Sequence, residues 1–132
     1  MRSYGGLALG KTGLAICRDL RSPYWFGHVV DQGTIPFLIL AQWPAVRASH
    51  GEALLRARAI ENQMFVSGCH RVGKTRDESF AGGSNLISPE GVGMLAGRSD
   101  QTVLTVQVDL DWVIVCRRRL PFLRERRPDL DA

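Results

Sequence analysis

The sequence predicts an α/β fold built on a mixed sheet, and two features carry that prediction. Between residues 12 and 69, apolar runs alternate with helical patterns in the order strand, helix, strand, helix, strand, the order that builds parallel pairing. The stretch "IPFLILAQW", residues 35–43, is a continuous apolar run with no polar side, as expected of a strand covered on both faces. Later runs are short and separated by turns, so the end of the chain is expected to pair in a more antiparallel way. The 132 residues contain no internal repeat, linker or low-complexity segment and are expected to form one domain.

Taken in order, "TGLAIC" (12–17) reads as the first strand. A helix follows Pro23 and ends near "DQG", where Gly33 suits a helix C-terminus. The 35–43 run is the second strand. "SHGE" sets Ser49 and Glu52 at capping-box spacing, where each side chain can satisfy the other's backbone N–H. Leu54, Ala57, Ile60 and Met64 then recur at steps of three and four, one stripe of a helix, with Glu52 and Arg56 paired on its wet side. "MFVSGC" reads as a strand, "KTRDES" as a polar loop and "SNLIS" as a short strand before the Pro89–Gly91 turn. "TVLTVQVDL" alternates as a strand would, and Asp109 can cap a last helix, "DWVIVCRRR", that Pro121 should end.

Composition narrows the function classes. With 45% hydrophobic and 23% charged residues the chain matches a soluble globular protein, and no stretch approaches the roughly 18 unbroken apolar residues of a membrane helix. Arg2 precedes an apolar run, but Lys11, Gly6, Gly10 and Gly13 interrupt it and no small-residue cleavage site follows. A cytoplasmic chain is therefore expected rather than a secreted one. Of the net charge of +4, residues 117–132 supply +3, six arginines against Glu125, Asp129 and Asp131. Charge gathered in one Pro-interrupted tail reads as a solvated or subunit-contacting segment, not a nucleic-acid surface. Cys17, Cys69 and Cys116 form no C-x-x-C pattern, and His28, His50 and His70 show no ligand spacing. Neither a disulfide framework nor a metal site is expected, and no cofactor is implied.

Whether Cys17 carries chemistry depends on what surrounds it. It ends the first strand, and Arg18, Asp19 and Arg21 follow at once in a helix-like segment. Two readings stay open from the residues alone. One is a thiol in the core, since free cysteine is among the most buried residue types. The other is a nucleophile, because a helix starting just after it would offer free N–H groups that favour the thiolate and hold an oxyanion. On the second reading Cys17 should be alkylated first, with Cys69 and Cys116 structural.

Four blocks bear on that choice: "GLAICRDLRSP" (13–23), the segment from Ala41 to Gly73, "FAGGSNLISPEG" (80–91) and "RRPDL" (126–130). In this order they resemble successive segments of the nitrilase superfamily of carbon–nitrogen hydrolases, ω-amidase-like branch, from about Gly10 to the C-terminus. The resemblance implies the C-terminal half of an α–β–β–α sandwich: a mixed sheet with helices on one face and an apolar face left for another layer. It implies a Cys nucleophile at Cys17, an oxyanion contact from the backbone N–H of Arg18, Gln42 and Trp43 on the loop beside the substrate, and Asp19 and Arg21 shaping the turn. The alternative for Arg21 is a simple pairing with Asp19 or another acidic neighbour, and for Trp43 a core aromatic. Arg18 replaces the aromatic or Asn frequent after the nucleophile, and Gln42, Gly51 and His70 stand where ω-amidase relatives commonly carry Asn, Trp and Asn.

The same resemblance implies a Glu base, a Lys and a supporting Glu before the cysteine. Residues 1–16 hold no acidic residue, Lys11 is their only lysine, and all five glutamates follow Cys17. The expectation is a single partial carbon–nitrogen hydrolase domain over 1–132, with a basic tail at 117–132. It would act on small amides together with an N-terminal half or second subunit, as a homo-oligomer, with no nucleic acid or membrane partner. The alternative is a non-catalytic fragment that binds a partner through its sheet and basic tail. A third possibility is a thiol hydrolase in which His50 or His70 replaces the base.

Overall fold

A computed structural model describes residues 4–7, 9–97 and 99–127, with side chains from residue 9 onward except Leu95. The elements in order are β1 (Tyr4–Leu7), β2 (Gly10–Ile16), a 3₁₀ turn (Cys17–Arg21), α1 (Pro23–Asp31), β3 (Pro36–Ala41), a 3₁₀ turn (Ala45–Arg47) and α2 (Ala48–Asn62). Then come β4 (Phe65–His70), β5 (Val72–Lys74), β6 (Ser79–Ala81), β7 (Asn85–Ile87), β8 (Gly93–Ala96) and α3 (Asp111–Arg119). The main sheet runs β1-β2-β3-β4-β7-β8. β2, β3 and β4 are parallel, whereas β1, β7 and β8 pair antiparallel. This is the mixed α/β sheet expected, parallel where helices intervene and antiparallel where turns do.

Register explains why the two faces differ. Gly13, Ala15, Phe37, Ile39, Val66 and Gly68 share one face through the pairs Gly13↔Phe37, Ala15↔Ile39, Phe37↔Val66 and Ile39↔Gly68. Phe37, Ile39 and Val66 are at most 1% exposed and join Leu20, Phe26, Val29, Val30, Leu55 and Ala59 in the core. Trp25 and Phe26 of α1 meet Phe37 with ring centroids 5.2 and 4.7 Å away, an aromatic group of the kind that dominates core energetics. Gly13 is required there: a Cβ on it would lie 2.4 Å from the Phe37 ring. On the opposite face Leu14, Ile16 and Leu40 are 40%, 67% and 61% exposed, and Cys69 beside Leu40 is exposed too. The two-faced sheet, helices on one side and bare apolar residues on the other, is what the sequence led us to expect.

Several local expectations need correction. α2 starts at Ala48, fed directly by the preceding 3₁₀ turn, so Ser49 and Glu52 fall inside its first turns and form no capping box; Arg47 is the N-cap, with no side-chain cap bond. The helix buries Gly51, Leu55, Arg58, Ala59 and Asn62; of the expected stripe, Met64 is buried just beyond the helix and Leu54 packs partly against the core, but Ile60 is 44% exposed. A polarity pattern misplaces this face because two of its buried members are Arg and Asn. The Glu52–Arg56 pair forms, at 3.3 Å. "KTRDES" is a hairpin tip: Lys74 pairs with Ser79, and the Thr75 N–H donates to the Glu78 carbonyl at 2.7 Å. Residues 102–109 are not a strand, and Val103 is 90% exposed; alternation makes a strand only where a partner supplies the ladder. The strand in this region is β8. Asp109 Oδ1 accepts the Asp111 N–H at 2.9 Å at the start of α3, which ends before Leu120 and Pro121.

Candidate active site

The C-terminal ends of β2, β3 and β4 lie side by side, and in open α/β sheets ligands bind outside such ends. Cys17 follows β2 directly. Ile16 is level with Leu40 and Leu40 with Cys69, which puts Ala41 and His70 in the next row, at the level of Cys17. The backbone at Cys17 has φ +41°, a left-handed conformation that side chains other than glycine rarely adopt and that costs about 1–3 kcal/mol unless the surroundings impose it.

Those surroundings are visible. Asp19 Oδ2 accepts the Ile16 N–H at 3.1 Å, and the Asp19 carbonyl accepts the Ser22 N–H at 2.9 Å. Leu20 is fully buried, and its carbonyl accepts Arg58 Nε–H at 3.0 Å. The segment that begins at Cys17 is thus a 3₁₀ turn of five residues and not the opening of an α-helix, which waits until Pro23. Proline is the cause: it excludes Ser22 from the α region, and Ser22 has φ −111° and ψ 83°. The expected helix N-terminus is therefore replaced by a tight turn, in which Arg18 is exposed.

The other sequence candidates gather around this turn. The Arg21 guanidinium lies 5.1 Å over the Trp43 ring, a cation–π contact. Trp43 is 5% exposed, joins the core, and donates from Nε1 to the Arg47 carbonyl. Gly51 leaves it room, since a Cβ there would come within 3.2 Å of Trp43 Nε1. Gln42 is exposed, and its Oε1 accepts Arg71 Nη1–H at 3.0 Å.

Arg71 and Arg58 escaped the sequence reading. The Arg71 guanidinium sits 4.6 Å over Phe80 of β6; the Arg71 backbone N–H donates to the Ala41 carbonyl at 2.9 Å, and the Arg71 backbone carbonyl accepts the Gly82 N–H at 3.2 Å. Nothing short of the strand register would have placed it beside Gln42. Arg58 is 5% exposed in α2; the only hint was an arginine among alanines on a helix that otherwise packs closely.

The histidines lie elsewhere. His70 N–H donates to Ser84 Oγ at 2.9 Å, and its Nδ1 lies 3.2 Å from the Gly82 carbonyl. Burial holds its imidazole below the usual histidine pKa. β3 separates β2 from β4, so the backbones of Cys17 and His70 stand roughly 10 Å apart at ordinary strand spacing. His50 is exposed on α2. Cys69, expected as a structural thiol, is exposed on the open face because the register points it away from the helices. Cys116 is buried, and burial pushes its thiol pKa up. Among the described residues no group of three His, Cys, Asp or Glu could hold a metal ion, and no helix is long and apolar enough to cross a membrane.

The fold is a nitrilase-type α/β layer, with a cysteine at the end of β2, an outer one of its three parallel strands. The chain belongs to the carbon-nitrogen hydrolase family, whose model matches residues 3–118. It is 36% identical to 2-oxoglutaramate amidase of Bacillus subtilis over 120 residues, 91% of this chain and 46% of that protein. It is 46% identical to the omega-amidase YafV of Escherichia coli over 77 residues, 58% of this chain and 29% of that one. A CN-hydrolase superfamily protein of Xanthomonas campestris, with an arsenic adduct in its active site, superposes at TM-score 0.89 and 28% identity, over 96% of this chain and 51% of that one. The chain spans about half the length of the curated relatives it matches.

Proposed function

We propose that this chain is the nucleophile-bearing half of a cysteine amidase and hydrolyses small amides once a complementary half or second subunit covers its open face. The observation that carries this reading is Cys17, held at φ +41° on the turn that follows the parallel strand β2. The amidase names of the relatives support the reaction class. Residues 1–132 act as one partial catalytic domain in the cytoplasm, a reading supported by three free cysteines.

In the reaction, the Cys17 thiolate attacks the amide carbon. A C–S bond forms, the carbonyl electron pair moves to oxygen, and the oxyanion takes a hydrogen bond from the Arg18 N–H. Collapse restores the carbonyl, breaks the C–N bond and expels protonated nitrogen as ammonia. Water then cleaves the thioester and regenerates the thiol. Asp19 fixes the turn, Arg21 braces the Trp43 loop, and Gln42 with Trp43 borders the substrate. A base for the thiol and an acid for the leaving group come from the covering layer, as the resemblance implies for the Glu and Lys segments that precede the cysteine.

Ammonia release from ω-amides of 2-oxo dicarboxylic acids tests this. The chain alone should show no useful turnover, because general acid–base help contributes roughly 10²–10⁴-fold. Adding an N-terminal half that carries the Glu and Lys segments should restore hydrolysis, and Cys17→Ala should abolish it. Turnover by the chain alone that survives Cys17→Ala would overturn the reading. The bare face formed by Leu14, Ile16 and Leu40 also favours a second reading, a non-catalytic layer that binds a partner there. Failure of any complementary half to restore turnover, with the two halves associated, would favour it.

A further inference from the structure

We propose that Arg58 is the positioning residue of the nucleophile turn: through the Leu20 carbonyl, its buried guanidinium holds Cys17 in the conformation where its thiol and the next N–H act together. The inference rests on Cys17 being the nucleophile.

A short 3₁₀ turn leaves its last carbonyls without partners of its own. The Asp19 carbonyl is taken by the Ser22 N–H, and the Leu20 carbonyl by Arg58 Nε–H at 3.0 Å. A cation is an expensive donor to bury, tolerated only when paired and bonded. Glu61 pairs with it at 2.8 Å, yet the Glu61 side chain is 41% exposed. An i,i+3 pair of that kind forms equally well on a helix surface, so it does not account for an arginine on the inside. The contact that demands an inward arginine is the one to the turn, 38 residues away in sequence. The guanidinium is itself held: it lies 5.4 Å over the Phe26 ring, and Asn62 Nδ2 donates to both the Arg58 carbonyl and Glu61 Oε1, at 3.0 and 3.2 Å. Asp19 therefore fixes the chain before Cys17, and Arg58 fixes it after. A residue at φ +41° stays there when both flanks are tied.

The experiment compares two reactions of Cys17 in the full chain, each followed on its peptide by mass spectrometry. Acylation by p-nitrophenyl acetate passes through an oxyanion, whereas alkylation by iodoacetamide does not. Arg58→Gln should lower acylation roughly 10- to 100-fold, the scale of a small misplacement of reacting groups, while alkylation changes little. Arg58→Lys, which keeps the cation but loses the directed Nε–H, should fall between. Where Arg58→Gln does not fold by circular dichroism, Arg58→Lys decides on the same ratio. Rates that change together, or not at all, in folded variants overturn the assignment of Arg58 alone. A wild-type Cys17 that takes neither reagent sinks the nucleophile itself and this inference with it.

Discussion

The guanidinium of Arg117 closes the C-terminal end of α2: its Nε–H donates to the Gln63 carbonyl at 3.2 Å. Nη2 also donates to the Asn62 carbonyl at 3.1 Å and the Thr34 carbonyl at 3.5 Å. Gln63 ends α2 at φ +44°, and the last helical carbonyls have no partners within the helix. In return, Gln63 Nε2 donates to the Leu120 carbonyl at 2.8 Å. Farther along, Arg126 pairs with Asp31 of α1. Two arginines of the basic segment thus act as ties between α3, its following turn and the body of the fold.

Arg117→Met keeps the aliphatic stem and removes every donor. Leaving partly buried carbonyls unsatisfied costs about 1–3 kcal/mol, so we expect a loss of about 2 kcal/mol in urea unfolding with an unchanged slope. An effect within error would mean that water replaces the guanidinium without cost.

Leu40 tests the open face. Its side chain is 61% exposed between Ile16 and Cys69 in the register, and contiguous exposed apolar residues of this kind mark contact surfaces. The wild-type chain should associate in a concentration-dependent way in sedimentation velocity. Leu40→Asp should shift it toward monomer with little change in folding stability, since the residue leaves no cavity. A wild-type chain that is strictly monomeric and highly soluble would count against a covering layer.

His70 sets a pH dependence. Its folded pKa lies below the ordinary histidine value of 6.5 because burial disfavours the imidazolium. The unfolded chain then binds more protons than the folded one just below pH 6.5, so folding stability is fully present above that pH and declines as the pH falls through the interval. His70→Asn keeps a donor for the Gly82 carbonyl and removes the titration. It should flatten that part of the stability profile, read by urea unfolding at several pH values between about 5 and 7. An identical slope in the variant would assign the acid loss to other groups.

Much of this molecule was legible in the sequence. The strand run at 36–41, the helix opened by Pro23 and the cysteine at the end of β2 all follow from apolar periodicity and from proline's fixed geometry, which act over a few residues. For the same reason the 3₁₀ turn after Cys17 was only half foreseen: Pro23 forbids an α-helix through Ser22, a local rule that the charged segment obscured. Tertiary structure decided everything that depends on pairing or on contacts across the chain. Register sent Cys69 to the open face and set Arg71 beside Gln42; the lack of a ladder left 102–109 without a strand. Arg58 became a core residue because the distant Leu20 carbonyl met its donor, and Asn62 turned inward beside it onto the Arg58 carbonyl and Glu61. Periodicity assigns a side chain to a face by its own polarity, whereas burial of a polar group depends on partners that only the folded chain brings within hydrogen-bond distance.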